Sequence, residues 1–240
     1  MKNIEITENI ILFDHFIFIK KEKTLILSDL HIGLEEVMHK EGFMIPKINF
    51  LEQKKRVALA SKRFKPKKII LNGDIKHEFG NINREEWKNI INFLEILKKK
   101  SEIIIIEGNH DKIIRPIAIK KRIKTSKYYI SQDKKIFVCH GDIILKNDDL
   151  KKSKYVIIGH VHPAITLYSG FRNEKFKCFL VGNWKTKKII VMPSLNFLNE
   201  GCNILREKQT SPFLKNIKNE NFEVYIVADK IYGFGKLSKF

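Results

Sequence analysis

An α/β fold of two packed sheets flanked by helices is predicted by three features of this 240-residue sequence. Five short apolar runs each end in a polar turn, helical periodicity fills some of the gaps between them, and the last third reads as antiparallel strands. The first run, Thr24-Leu25-Ile26-Leu27, leads into Ser28-Asp29-Leu30-His31. Lys68 to Leu71 leads into Asn72-Gly73-Asp74, and Ile103 to Ile106 into Glu107-Gly108-Asn109-His110-Asp111. Lys135 to Cys139 leads into His140-Gly141-Asp142, and Tyr155 to Ile158 into Gly159-His160-Val161-His162. Runs apolar at every position suit strands covered on both faces.

A helix is expected between Ile48 and Lys62. A second is marked by Asn83 and Glu86, which resemble a capping box, followed by Trp87, Ile90, Ile91, Leu94 and Leu97 on one face. Lys175 to Val181, Lys188 to Met192, Phe222 to Ala228 and Ile231 to Leu237 read as antiparallel strands. Pro212 and 216–221 mark a loop, and Asp229-Lys230 a tight turn. With no repeat, low-complexity stretch or Pro/Gly/Ser linker, residues 1–240 read as a single domain.

Composition excludes several classes. No stretch approaches the about 18 consecutive apolar residues of a membrane span, and the N-terminus lacks signal-peptide features, so a cytoplasmic protein is expected. Cys139, Cys178 and Cys202 are widely spaced with no Cys-x-x-Cys pair, which argues against a disulfide framework or thiolate zinc site. The net charge of +19 invites a polyanion, but the cations are mostly Lys spread along the chain, and biased composition could produce the same value.

The chemistry collects where the strands end. Asp29, His31, Asp74, Asn109, His110, His140, His160 and His162 all follow the five apolar runs. Strand C-terminal ends are where α/β folds commonly assemble sites, and imidazole with carboxylate suits Mn, Fe, Ni or Zn without thiolate. A lone histidine is usually structural, and His15, His39 and His77 are read that way at first; five at strand ends beside Gly or acidic residues are not.

Asp29-x-His31, Gly73-Asp74, Gly108-Asn109-His110-Asp111, His140 and Gly159-His160-x-His162 together resemble the calcineurin-like metallophosphoesterases, in that family's order. The resemblance implies a four-layer α-β-β-α sandwich holding two divalent metal ions, Mn2+ foremost with Fe, Ni or Zn compatible. It places Asp29, His31, Asp74 and His162 on one metal and Asp74, Asn109, His140 and His160 on the other, with Asp74 bridging. Water between the metals would attack phosphorus in line with the leaving oxygen. His110 would be the general acid, and Asp111 would either orient His110 or fix the turn. Gly73, Gly108 and Gly159 would let the backbone turn beneath the ligands.

Ser28 to Glu35, Gly73 to Glu78, Cys178 to Gly182 and Met192-Pro193-Ser194-Leu195-Asn196 further resemble an archaeal branch similar to bacterial DNA-ligase-associated metallophosphoesterases. That implies a phosphodiesterase acting on single-stranded DNA or RNA, a nuclease in DNA repair. A small-molecule phosphodiesterase or phosphomonoesterase is the alternative, followed by a non-catalytic scaffold. His77 and Glu78 would line the cleft or serve as capping or surface groups. Asn196 and Gly201 would close the cleft or make a turn, Trp87 and Trp184 would pack in the core, and a homodimer is possible.

Overall fold

The computed structural model describes residues 3–78, 84–170, 172–215 and 221–239. Asn83, one half of the expected capping box, and most of the 216–221 loop lie outside them.

The first sheet has seven strands in chain order. β1 (Ile4–Thr7), β2 (Ile10–Phe13), β3 (Phe16–Ile19) and β4 (Thr24–Leu27) pair antiparallel. β5 (Lys68–Asn72), β6 (Glu102–Ile106) and β7 (Lys124–Ser126) continue it in parallel. Parallel neighbours need long crossovers, and helices supply them. α1 (Leu34–Lys40) and α2 (Asn49–Phe64) join β4 to β5, α3 (Arg84–Lys98) joins β5 to β6, and α4 (Ile114–Lys120) joins β6 to β7.

The second sheet has nine strands. β8 (Tyr128–Ile130) pairs antiparallel with β9 (Ile136–Cys139), which runs parallel to β10 (Tyr155–Ile158). β11 (Pro163–Ser169) turns back into the long β12 (Arg172–Trp184), and β12 pairs antiparallel with β13 (Lys187–Val191), itself parallel to β10. β14 (Cys202–Asn203) extends the β11 edge, while β15 (Glu223–Val227) and β16 (Ile231–Lys236) form a hairpin on β12. α5 (Asp148–Lys152) precedes β10 and is capped by Asn147, whose side chain accepts the Leu150 N–H at 2.8 Å.

The apolar runs divide between layers by the two-residue period of a strand. Leu25, Leu27, Ile69, Leu71, Ile103 and Ile105 face the helices, where they meet Val57, Ala60, Ile90, Phe93 and Leu97. Their neighbours Ile26, Ile70, Ile104 and Ile106 face the second sheet and pack with Ile136, Val138, Ile157, Phe179 and Ile190. The far side of the second sheet is covered by Leu150 of α5 and by Phe213, Leu214, Phe222 and Leu237 from irregular segments and a short 3-10 turn. The fourth layer is thus made of α5 together with irregular chain and a short 3-10 turn.

Glu86 also reaches back to the loop before α3. It is buried, and its Oε1 accepts the His77 N–H at 3.1 Å, so α3 clamps the loop that follows Asp74. Trp184 is buried and Trp87 packs partly buried against the core. Among the described residues no helix is long and apolar enough to cross a membrane.

Candidate metal centre

The C-terminal ends of β4, β5 and β6 in one sheet and of β9 and β10 in the other open onto a common edge, and each strand delivers its polar turn there. Crowding in that space dictates the backbone. Asp29, His31, Asp74, His160 and His162 all have positive φ, between 45° and 64°. Such conformations cost non-glycine residues about 1 kcal/mol or more each and persist where the surroundings over-determine them. Gly73, with φ of 79°, leaves room for His140: a Cβ there would sit 2.1 Å from the His140 Nδ1. At Gly108 the need is space rather than turning, since a Cβ would come within 2.3 Å of the Asp74 Oδ1.

Two donor groups result. Asp29, His31 and His162 bring one ligand atom each within 4.8 Å of one another, and so do Asp74, His140 and His160. In the first, His162 Nε2 lies 3.3 Å from both the Asp29 Oδ1 and the His31 Nε2. In the second, His140 Nε2 lies 3.3 Å from the Asp74 Oδ2 and 3.1 Å from the Asn109 Oδ1. Asp74 Oδ2 is also 3.8 Å from the His31 Nε2, so this carboxylate stands between the groups. Asp29 and Asp74 are almost fully buried.

The donor set fits divalent first-row ions. Ligand atoms held about 2.0–2.2 Å from one cation are themselves roughly 3.0–3.5 Å apart, and several observed separations fall in that interval. Ring orientation agrees. The Nδ1–H of His140 donates to the Asn72 carbonyl at 3.2 Å, which turns the Nε2 toward Asp74.

Protonation also suits ligation. Burial, reinforced by the charge of His162, pushes His31 down to about 3, and burial with the charge of His140 lowers His160, so both rings are neutral at pH 7. For His140, burial acts downward, but Asp74 and Asp29 dominate and raise it to about 10. Asp29 is held well below the usual carboxylate range: burial opposes ionisation, and His162, His140 and His31 outweigh it. A divalent ion offers these carboxylates the compensation that the His140 proton otherwise provides.

His110 faces the same space. Its Nδ1 donates to the His77 carbonyl, its Nε2 lies 3.9 Å from the Asp74 Oδ2, and its N–H donates to the Asp74 Oδ1 at 3.0 Å. Asp111 belongs to the frame. Its Oδ1 accepts the Ile75 N–H at 2.9 Å and its Oδ2 the Gly108 N–H at 3.0 Å. Burial raises its pKa to about 6, with the charge of Asp74 adding to the effect. Of the two roles expected for Asp111, fixing the turn is the one these contacts describe.

Two further expectations narrow. His77 is not a surface group: its Nδ1 lies 3.4 Å from the His31 Nδ1, and with His31 and His110 it forms a third cluster of ring nitrogens. Asn196 is fully buried rather than on a lid. Its Nδ2 donates to the Leu30 and His31 carbonyls at 3.1 and 3.3 Å, and its Oδ1 accepts from Leu198 and Asn199. Gly201 has φ of 90° and backs onto the His162 carbonyl, a turn role. His15 pairs with Asp14 at 2.6 Å, and His39 is exposed.

Several supports lie outside the donor motifs. Ser194 Oγ donates to the Asp29 carbonyl at 2.8 Å, and Gln53 Nε2 to the Leu30 carbonyl at 2.6 Å. Lys177 Nζ donates to the carbonyls of Ser194 and Asn196, and burial lowers its pKa to about 7. Asn199 Nδ2 lies 3.2 Å from the His162 Nδ1. Charge and hydrogen-bonding type alone could not have placed Ser194 beneath Asp29, 165 positions away, or Gln53 and Asn199 beside Leu30 and His162, 23 and 37 positions away.

Among solved structures, the fold is similar to the nuclease MPE of Pseudomonas putida, with a TM-score of 0.69 and 15% identity over 97% of this chain and 98% of that one. YfcE, a phosphoesterase from E. coli, matches more loosely, with a TM-score of 0.39 and 12% identity over 86% of this chain and 88% of that one. No curated protein matches the sequence significantly. The calcineurin-like phosphoesterase family model matches residues 22–183, a span that starts before Asp29 and ends beyond His162. With the family's motifs, two donor groups and a matching fold in one chain, the protein belongs to the calcineurin-like phosphoesterases and is a metal-dependent phosphoric ester hydrolase.

Proposed function

We propose that the protein is a binuclear phosphodiesterase acting on single-stranded DNA or RNA, of the branch similar to DNA-ligase-associated metallophosphoesterases, with Mn2+ as its working metal and DNA repair as its setting. The observation that carries the chemistry is the placement of Asp74 between two separate donor groups. One ion would be held by Asp29, His31, Asp74 and His162, the other by Asp74, Asn109, His140 and His160. Divalent ions bound there supply a nucleophile at neutral pH and neutralise charge on the phosphoryl oxygens.

The remaining work belongs to the chain. His110, turned by the His77 carbonyl so that Nε2 faces the donor groups, gives its proton to the departing alkoxide oxygen. Asp111 keeps that turn in place through the Ile75 and Gly108 N–H groups. Ser194, Asn196 and Gln53 hold the backbone of Asp29 to His31 against rotation.

Support for a polynucleotide comes from the +19 net charge and from the shared fold with a nuclease. The recess beside His140, lined by Glu107, Lys127, Asp142, Ile143 and Leu145, holds only about 10 Å³ and offers no enclosure for a nucleotide on that side. Sequence-independent phosphate contacts release counterions, so cleavage of single-stranded DNA should fall steeply with salt while hydrolysis of an aryl phosphodiester changes little. Loss of all polynucleotide cleavage under saturating Mn2+, with the aryl diester still hydrolysed, would assign the enzyme to small phosphoesters instead.

A further inference from the structure

Two histidines of the donor groups are held from behind through Nδ1. The His140 Nδ1 meets the Asn72 carbonyl at 3.2 Å, and the His162 Nδ1 meets the Asn199 side-chain amide at 3.2 Å. His31 meets another imidazole in the corresponding place, where its Nδ1 lies 3.4 Å from the Nδ1 of His77. A neutral imidazole carries one N–H and one acceptor nitrogen. The His31 Nε2 faces the His162 Nε2 at 3.3 Å and the Asp74 Oδ2 at 3.8 Å. An ion taken there needs the Nε2 lone pair, which leaves the His31 proton on Nδ1. The His77 Nδ1 is then the acceptor, and the His77 proton sits on its Nε2.

Both backbone groups of His77 are engaged, so the ring is presented from a fixed base. Its N–H is shared between the Ile32 carbonyl at 3.0 Å and the Glu86 Oε1 at 3.1 Å. Its carbonyl accepts the Nδ1–H of His110. The ring lies nearly parallel to that of His110, with centroids 5.8 Å apart and planes at 21°, and meets His31 edge-on at 70°. Gly33 completes the frame, since a Cβ there would come within 2.7 Å of the Glu86 Cδ. The strut therefore runs from α3 through Glu86 to His77 and on to His31.

We propose that His77 is a positioning residue for the ion held by Asp29, His31, Asp74 and His162. Its Nδ1 accepts the Nδ1–H of His31 and so fixes the tautomer and ring plane that aim the His31 Nε2 at that ion. This rests on the reading of His31 as a ligand in a two-ion centre. Loss of such a partner costs about 10–100-fold in metal affinity. The other ion, whose His140 is oriented by the Asn72 carbonyl, should keep its affinity.

Calorimetric titration of Mn2+ into the full-length protein and three variants tests this. His77→Leu removes the acceptor. His77→Asn keeps an amide oxygen where Nδ1 stood, whereas His77→Gln carries its amide one bond further out, near the Nε2 position. The unchanged protein should take up two ions, and His77→Leu should bind one of them about 10–100-fold more weakly. His77→Asn should recover most of that loss and His77→Gln little of it. A role in packing alone would not separate Asn from Gln, and this contrast decides even where Leu disturbs the loop. Two ions bound by every variant as tightly as by the unchanged protein, or equal losses in Asn and Gln, would overturn the proposal and leave the binuclear reading standing. A single ion in the unchanged protein would overturn that reading and the proposal with it.

Discussion

Asp74→Ala should lose both ions and nearly all hydrolysis while keeping its far-ultraviolet circular dichroism. Its carboxylate stands between the two groups: the Oδ2 lies 3.3 Å from the His140 Nε2 and 3.8 Å from the His31 Nε2, while the Oδ1 accepts the His110 N–H. Losing a partner that only orients a ligand costs about 10–100-fold, so loss of a carboxylate common to two ions should exceed that range, by about 10³-fold or more in kcat/KM. His140 should respond too, since Asp74 is the first of the groups that raise its pKa. Metal content by plasma mass spectrometry and initial rates on an aryl diester would measure both effects. A variant that retained two ions and most of its rate would remove Asp74 from the bridging position.

His110→Ala is expected to behave differently. Its Nε2 is 3.9 Å from the Asp74 Oδ2, and its Nδ1 is engaged by the His77 carbonyl. Metal content should therefore be preserved. The rate should fall about 10²–10⁴-fold for alkyl leaving groups, which need a proton, and much less for nitrophenolate, which leaves without one. Plotted against leaving-group pKa, rates of the variant should slope more steeply than those of the unchanged enzyme. Parallel slopes would show that His110 does not protonate the leaving oxygen.

Much of this site was legible in the sequence because each donor is attached directly to a strand end. Runs such as Ile103 to Ile106 announce a strand buried on both faces, and the polar residues that follow must then lie at its C-terminal edge. The hairpins of β1 to β3 were not legible by the same means. Four-residue runs such as Ile10–Phe13 and Phe16–Ile19 are buried at every position, so they carry no alternation to distinguish a strand from a buried helical turn. For His77 the sequence left cleft, capping and surface roles open, and a longer-range contact brings it to His31. An isolated parallel bridge joins Ile32 to Lys76, and the His77 N–H donates to the Ile32 carbonyl at 3.0 Å, which folds the loop back toward His31. Asn196, Gln53 and Lys177 act through backbone carbonyls of distant residues, and nothing in their local spacing encodes that.

Electron paramagnetic resonance of the protein titrated with Mn2+ tests the two-ion centre most directly. The expected spectrum at saturation is that of a spin-coupled pair, reached at two ions per chain, with coupling lost in Asp74→Ala. Saturation at one ion per chain with only an isolated six-line signal would contradict a binuclear centre built around Asp74.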